Sequence, residues 1–264
     1  DKEPQNTEDV MAKMTVVTGR GGAGKSTFAA LAVRHLPSAP LLIDADPDQS
    51  LAQLLGVDLQ EQGINTISDV LYKLQKPDAY EELGSMPLAQ KMEYLVGMDC
   101  LYESEGFDLV TLGVKWTRGC YCQPNNVLQG LLPTLAKSYD YAILDSPAGL
   151  EHVNRRVVRD VKDMFVMIDP SAKAVRNARR LIEIADEIGV RFENMYLVGN
   201  YRFTPEMEDR VESPDGATFL GRVEADEAVP QFDWEGRSLL ELPEDSPASR
   251  SVAGILSKAG YPTG

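Results

Sequence analysis

The chain has 264 residues and a formal charge of −15, from 26 basic and 41 acidic side chains. With 43% hydrophobic residues it can bury a sizeable core, so disorder of the whole chain is excluded as an expectation. The acidity argues against a general affinity for nucleic acid or anionic membrane, while a local cationic pocket for a nucleotide stays compatible with it.

Residues 1–12 are polar and aperiodic and are expected to form a tail. From residue 13 to 264 the pattern predicts one α/β domain. Short apolar runs at 14–18, 41–44, 107–112, 141–145, 164–169, 195–200 and 217–221 read as strands closing on Asp, Gly or Asn. Helical spacing lies between them. Leu31, Val33 and Leu36 follow the first strand, and Val127, Leu128, Leu131, Leu132 and Leu135 precede the fourth, where Gly130 and Pro133 weaken the pattern. Leu181, Ile182, Ile184, Ala185 and Ile188 precede the sixth, with Gly189 as a stop signal. Residues 60–105 are less regular and are expected to be an insertion on the sheet. Residues 246–260 predict a terminal helix. The alternation implies a mainly parallel, doubly wound sheet with helices on both faces and a ligand site at the strand carboxyl ends. Three cysteines form no disulfide framework. Their number, with no apolar run of about 18 residues and no signal-peptide pattern, predicts a cytoplasmic protein.

The sharpest motif is GRGGAGKST at 19–27, directly after the first strand. Gly19, Gly24, Lys25 and Ser26 match the phosphate-binding loop G-x-x-x-x-G-K-[ST]. Backbone N–H groups of Gly21, Gly22, Ala23 and Gly24 can converge on phosphate oxygens, with the helix N-terminus behind them. Lys25 is placed to reach the β- and γ-phosphates and the Ser26 hydroxyl to ligate Mg2+. LLIDADPD leaves Asp44 and Asp46 past the second strand, and YAILDSPAG leaves Asp145 at another strand tip with Gly149 four residues on. A Mg-nucleotide site needs one carboxylate for the metal's water shell and a group to orient the attacking water. A lone Asp at a strand end serves equally as a turn former or cap. Three beside a phosphate loop favour the metal reading.

With these residues the chain resembles the deviant Walker-A ATPases of the MinD and nitrogenase-iron-protein class, from about Met14 to the terminal helix. The resemblance implies an ATP-gated homodimer using ATP, ADP and Mg2+. Through it, Asp46 orients the attacking water, Asp145 belongs to the Mg2+ shell, Gly149 senses the γ-phosphate and Thr27 touches the α-phosphate. Asn200 reads adenine, and Asp226 lines the base pocket, with Glu224 where a proline is usual. The class's dimer-crossing lysine falls at Arg20, which keeps the charge but not the geometry. GCYCQPNN at 119–126 and SPAGLEH at 146–152 resemble the CooC-type ATPases that assist nickel insertion into carbon monoxide dehydrogenase or act on acetyl-CoA synthase. The implied partners are a second copy and such a client metalloenzyme, with no nucleic acid and no membrane.

Cys120 and Cys122 form a C-x-C of soft thiolate donors suited to Ni2+, Zn2+ or an Fe–S cluster. Two ligands fall short of a closed site of four, and a two-fold dimer supplies the others. Packing as small apolar side chains is the competing reading. Cys100 is expected in the core, and His35 and His152 in structural roles. Two other functions stay open: an Fe–S carrier or electron-donating ATPase, and a MinD/ParA-like positioning ATPase.

Overall fold

The computed structural model describes residues 12–76, 80–114, 122–147 and 160–262. The expected N-terminal tail falls outside them. Eight strands form one sheet in the order β3-β4-β2-β5-β1-β6-β7-β8. They are β1 (Lys13–Gly19), β2 (Leu41–Asp44), β3 (Leu101–Glu103), β4 (Asp108–Thr111), β5 (Tyr141–Asp145), β6 (Asp160–Ile168), β7 (Arg191–Gly199) and β8 (Ala217–Arg222). All neighbours are parallel except β3 and β4. The sheet is the doubly wound one expected, with a short antiparallel edge strand, β3, that the sequence reading did not find.

Burial of both faces follows from the period of two along each strand. Val16, Leu41, Ile43, Met164 and Val166 enter one core, and their neighbours Val17, Leu42 and Phe165 enter the other. The first core is covered by α3 (Ile67–Lys73), α4 (Leu88–Leu95), α5 (Cys122–Leu135) and α6 (Ala172–Ile188). The second is covered by α1 (Lys25–Val33), α2 (Ser50–Leu54), α8 (Ala228–Trp234) and α9 (Pro247–Lys258), while α7 (Pro205–Glu208) follows β7. Among these, α9 is the expected terminal helix, burying Ala248, Val252, Ile255 and Leu256.

The insertion is more ordered than its sequence suggested. Ile67, Val70, Met92, Leu95, Val96 and Cys100 all reach the first core, through two helices and a π-turn at Val96–Cys100. Thr66 and Asp69 form a capping box that starts α3. α5 also runs through Pro133 despite the lost N–H. Leu128, Leu131 and Leu132 are buried, and their packing overrides the local penalty. Gly189 ends α6 in the left-handed conformation, as its position predicted.

Candidate functional site

The site lies where β1, β2, β5 and β6 end. Between β1 and α1 the chain turns through the glycine loop. Gly24 sits left-handed at φ 88 just before α1, and the Phe28 N–H donates to its carbonyl at 2.9 Å. No side chain caps α1 and no acidic residue occupies its first turn. Its leading N–H groups therefore have no acceptor from a cap, and the positive end of the helix faces the loop. Gly19 is required by closeness: a Cβ there would meet the Met167 carbonyl oxygen of β6 at 2.5 Å.

Lys25 is 6% exposed. A cation buried in the first turn of a helix is electrostatically unfavourable without an anion nearby. Part of that anion is Asp145, fully buried at the end of β5, beside Lys25 and the Ser26 hydroxyl. Asp145 stands in register with Asp44 of β2, also fully buried. Asp44 is tied into the backbone, accepting from the Asp46 N–H at 3.0 Å and the Leu51 N–H at 3.1 Å. Among the described residues neither oxygen of Asp145 has a well-formed hydrogen bond.

Burial raises both carboxyls. Asp145 is pushed up to about 7 by desolvation, with Ser26 and Lys25 pulling it back. Asp44 reaches about 8 through desolvation and the Asp145 charge beside it. Two buried carboxyls side by side are a poor arrangement until a cation arrives. Among the described residues no three His, Cys, Asp or Glu side chains are arranged as a metal cage. Mg2+ keeps several waters and takes one or two carboxylates plus phosphate oxygens, so it needs no such cage. Ser26 and Asp145 fit such an ion. Asp46 is half-buried at the rim, its carboxylate accepting from the Asp48 N–H at 3.1 Å.

A cavity of about 650 Å3 runs from the loop outward, lined by Gly22, Ala23, Gly24 and Thr27 at one end and by Asn200 and Asp226 at the other. Asn200 ends the strand run of β7. Its side-chain oxygen accepts from the Arg202 N–H at 3.1 Å, while its buried Nδ2 has no partner among the described residues. An unpartnered donor at the end of a cavity is what a base with an acceptor edge would satisfy. Tyr201 lines one wall and Val229 and Pro230 also border the space, residues that the sequence reading missed because no motif marks them. Asp226 is already engaged: it accepts from the Ala228 N–H at 2.9 Å and the Ser246 hydroxyl at 2.5 Å. It shapes the wall by joining α8 to α9.

Arg20 pairs within its own chain. Its guanidinium lies 3.0 Å from the carboxylate of Asp169, just past β6. Asp169 closes the run MFVMID as Asp44 and Asp145 close theirs, the same signal that found the other acids. Cys100 is fully buried in the core, as expected. His35 bonds Ser249 at 3.0 Å. Cys120, Gly149 and His152 lie outside the described residues, and Cys122 opens α5 with its side chain outside them. No described helix is long and apolar enough to cross a membrane.

The model of a family described as an AAA domain, AAA_31, matches residues 11–197. An uncharacterized ATP-binding protein of Methanocaldococcus jannaschii is 32% identical over 250 residues, covering 92% of this chain and 96% of that protein. The carbon monoxide dehydrogenase accessory protein CooC of Rhodospirillum rubrum is 27% identical over 253 residues, covering 92% and 94%. In fold the chain is similar to a ParA family ATPase of Chlorobium tepidum, with TM-score 0.68 at 18% identity over 91% of this chain and 97% of that one.

Proposed function

This chain belongs to the AAA_31 domain family of MinD/ParA-type P-loop ATPases, and from that premise we propose that it hydrolyses ATP to drive metal delivery to a client enzyme. The observation that carries the ATPase reading is Asp145: a fully buried carboxylate next to Asp44 and beside Lys25 and Ser26, with neither oxygen in a well-formed hydrogen bond among the described residues. Asp145 and Ser26 would hold Mg2+ beside a bound nucleotide, and its charge would stabilise this carboxylate. When bound, Mg2+ would supply charge neutralisation at the phosphates.

The chain's own residues do the rest. The glycine-loop N–H groups hold the phosphate oxygens of ATP or ADP, and Thr27 touches the α-phosphate. Lys25 offsets charge on the β- and γ-phosphates, where it builds up in the transition state. Asp46, at the rim, orients the attacking water. Gly149 reports the γ-phosphate. Asn200 offers its free Nδ2 to the adenine ring. Arg20 leaves Asp169 to reach the nucleotide of a second copy, so that ATP favours the dimer.

The metal reading is supported by the GCYCQPNN run and by the similarity to the CooC protein named above. Cys120 and Cys122 of each copy supply four thiolates for one Ni2+ or Zn2+, which is cargo rather than a resident cofactor. The client is a metalloenzyme of the carbon monoxide dehydrogenase or acetyl-CoA synthase type.

The test is anaerobic metal titration with light scattering, with and without ATP. One ion per dimer is expected, lost on replacing both cysteines with Ser while Mg-ADP still binds. One ion per monomer, or metal-promoted dimerisation that survives the double replacement, would remove the metal reading. Broad visible charge-transfer absorption after reconstitution with iron and sulfide would favour an Fe–S carrier. Undiminished ATP turnover in Lys25→Ala would remove the ATPase assignment.

A further inference from the structure

The helix α6 carries its charges in the wrong order for its own stability. Its buried stripe is Ala174, Ala178, Leu181 and Ala185. On the solvent side Lys173, Arg176, Arg179 and Arg180 crowd the first half, all exposed. Glu183, Asp186 and Glu187 are exposed in the second half. The first turn holds no acid and the last turn no base. A helix has its positive end at the N-terminus, so cations there and acids at the other end are both unfavourable. Arg176 and Arg180 are also like charges at i and i+4, which repel. Among the described residues none of the four cations forms an ion pair. Only Glu183, at i+4 from Arg179 and i+3 from Arg180, offers these cations a favourable helical neighbour, and no ion pair forms there among the described residues.

The position is equally particular. α6 starts just after Asp169, the partner of Arg20, at the strand carboxyl edge where the phosphate loop also sits, although α6 and α1 cover opposite faces of the sheet. A small cavity of about 40 Å3 lies between α6 and the loop, lined by Gly19, Arg20, Met167, Ala174 and Asn177. Whatever touches the first turns of α6 therefore lies beside the nucleotide loop.

We propose that the basic first half of α6 is a docking surface for an acidic segment of a partner protein. The four cations contribute +4 to a chain totalling −15, so everything else sums to −19. The patch spans Lys173 to Arg180, about 10 Å of helix. A DNA duplex or a bilayer extends well past that length and meets the acidic half of α6, Glu183, Asp186 and Glu187. A short acidic segment meets only the patch. Its attraction acts within the Debye length of about 8 Å at physiological salt, and mainly sets orientation and encounter rate.

The test uses the full chain with Mg-ADP and a fluorescein-labelled deca-glutamate peptide, read by anisotropy at low and moderate salt. The variant replaces Lys173, Arg176, Arg179 and Arg180 with Gln, a good helix former that also removes the unfavourable end charges. Saturable binding is expected, weakened by salt and at least about tenfold weaker in the variant. Mg-ADP affinity and thermal midpoint should be unchanged or improved, which separates docking from folding. Absent binding, or equal binding by both proteins, overturns the proposal. So does tighter variant-sensitive binding to a 30-base-pair duplex or to phosphatidylglycerol vesicles. Charge-dependent self-association without peptide, lost in the variant, would assign the surface to a second copy instead.

Discussion

Replacing Asp145 with Asn should stabilise the nucleotide-free protein while disabling it. A carboxyl held near 7 rather than 3.8 costs on the order of 4 kcal/mol to ionise in place. The sign follows from linkage. Between its ordinary value and about 7 the folded chain keeps a proton that the unfolded chain has released, so stability falls as pH rises through that window. Asp44, held near 8, acts in the same direction. The amide keeps the volume and removes one charge, but leaves its own buried donors to be satisfied, which offsets roughly half the gain. The net expectation at pH 8 is about 2 kcal/mol, or a melting midpoint roughly 4 °C higher. At pH 5.5 the folded carboxyl is neutral while the unfolded one is ionised, so the wild type still loses about 2 kcal/mol; the amide's unmet donors offset that, and the difference should shrink towards zero. The assay is thermal unfolding in EDTA from pH 5.5 to 8.5, repeated with Mg-ADP. Mg-ADP should stabilise the wild type more at pH 8.5 than at pH 6, and the variant much less. A wild-type midpoint that is flat across this range, or an Asn variant no more stable at pH 8, would refute the strained-pair argument.

Asp46→Asn should bind Mg-ATP within about twofold of wild type yet turn over roughly a hundredfold more slowly; a normal single-turnover rate would exclude it as the water-orienting group. Asn200→Ala removes the unpartnered Nδ2 and should weaken ADP about tenfold, leaving tripolyphosphate affinity unaltered in calorimetry. Equal losses for both ligands would place Asn200 outside base recognition. Gly19→Ala forces a Cβ against the Met167 carbonyl at a φ of +148, and should cost about 2–3 kcal/mol in denaturant unfolding; a cost below about 0.5 kcal/mol would show that β1 and β6 can part without penalty.

The phosphate loop was legible because its chemistry is local. Nine consecutive residues carry the glycines, the lysine and the hydroxyl, and the apolar run before them supplies the strand. The doubly wound sheet was legible for a similar reason: short apolar runs ending in acids repeat along the chain. The edge strand β3 escaped because three residues, none of them fully buried, carry no period. The order within the 60–105 segment escaped because its core positions are spread over short helices whose apolar stripe completes only against α5 and the sheet.

Distances between remote parts belong to the tertiary structure. Asp44 and Asp145 each read as an ordinary strand end, and only the pairing of β2 with β5 makes them neighbours whose charges oppose each other. Asn200 and Asp226 were assigned by resemblance; folding sets them around one cavity with Gly24 and Thr27, and shows that Asp226 is occupied by Ser246 while Asn200 retains a free donor. Arg20 could be placed by motif, but its ion pair with Asp169 depends on β6 lying beside β1. The sequence by itself determined which groups this protein has for phosphate and metal chemistry, since residue type and short spacing set those. The strand order decided which of them meet, because a parallel sheet brings together ends that the chain separates by whole helices.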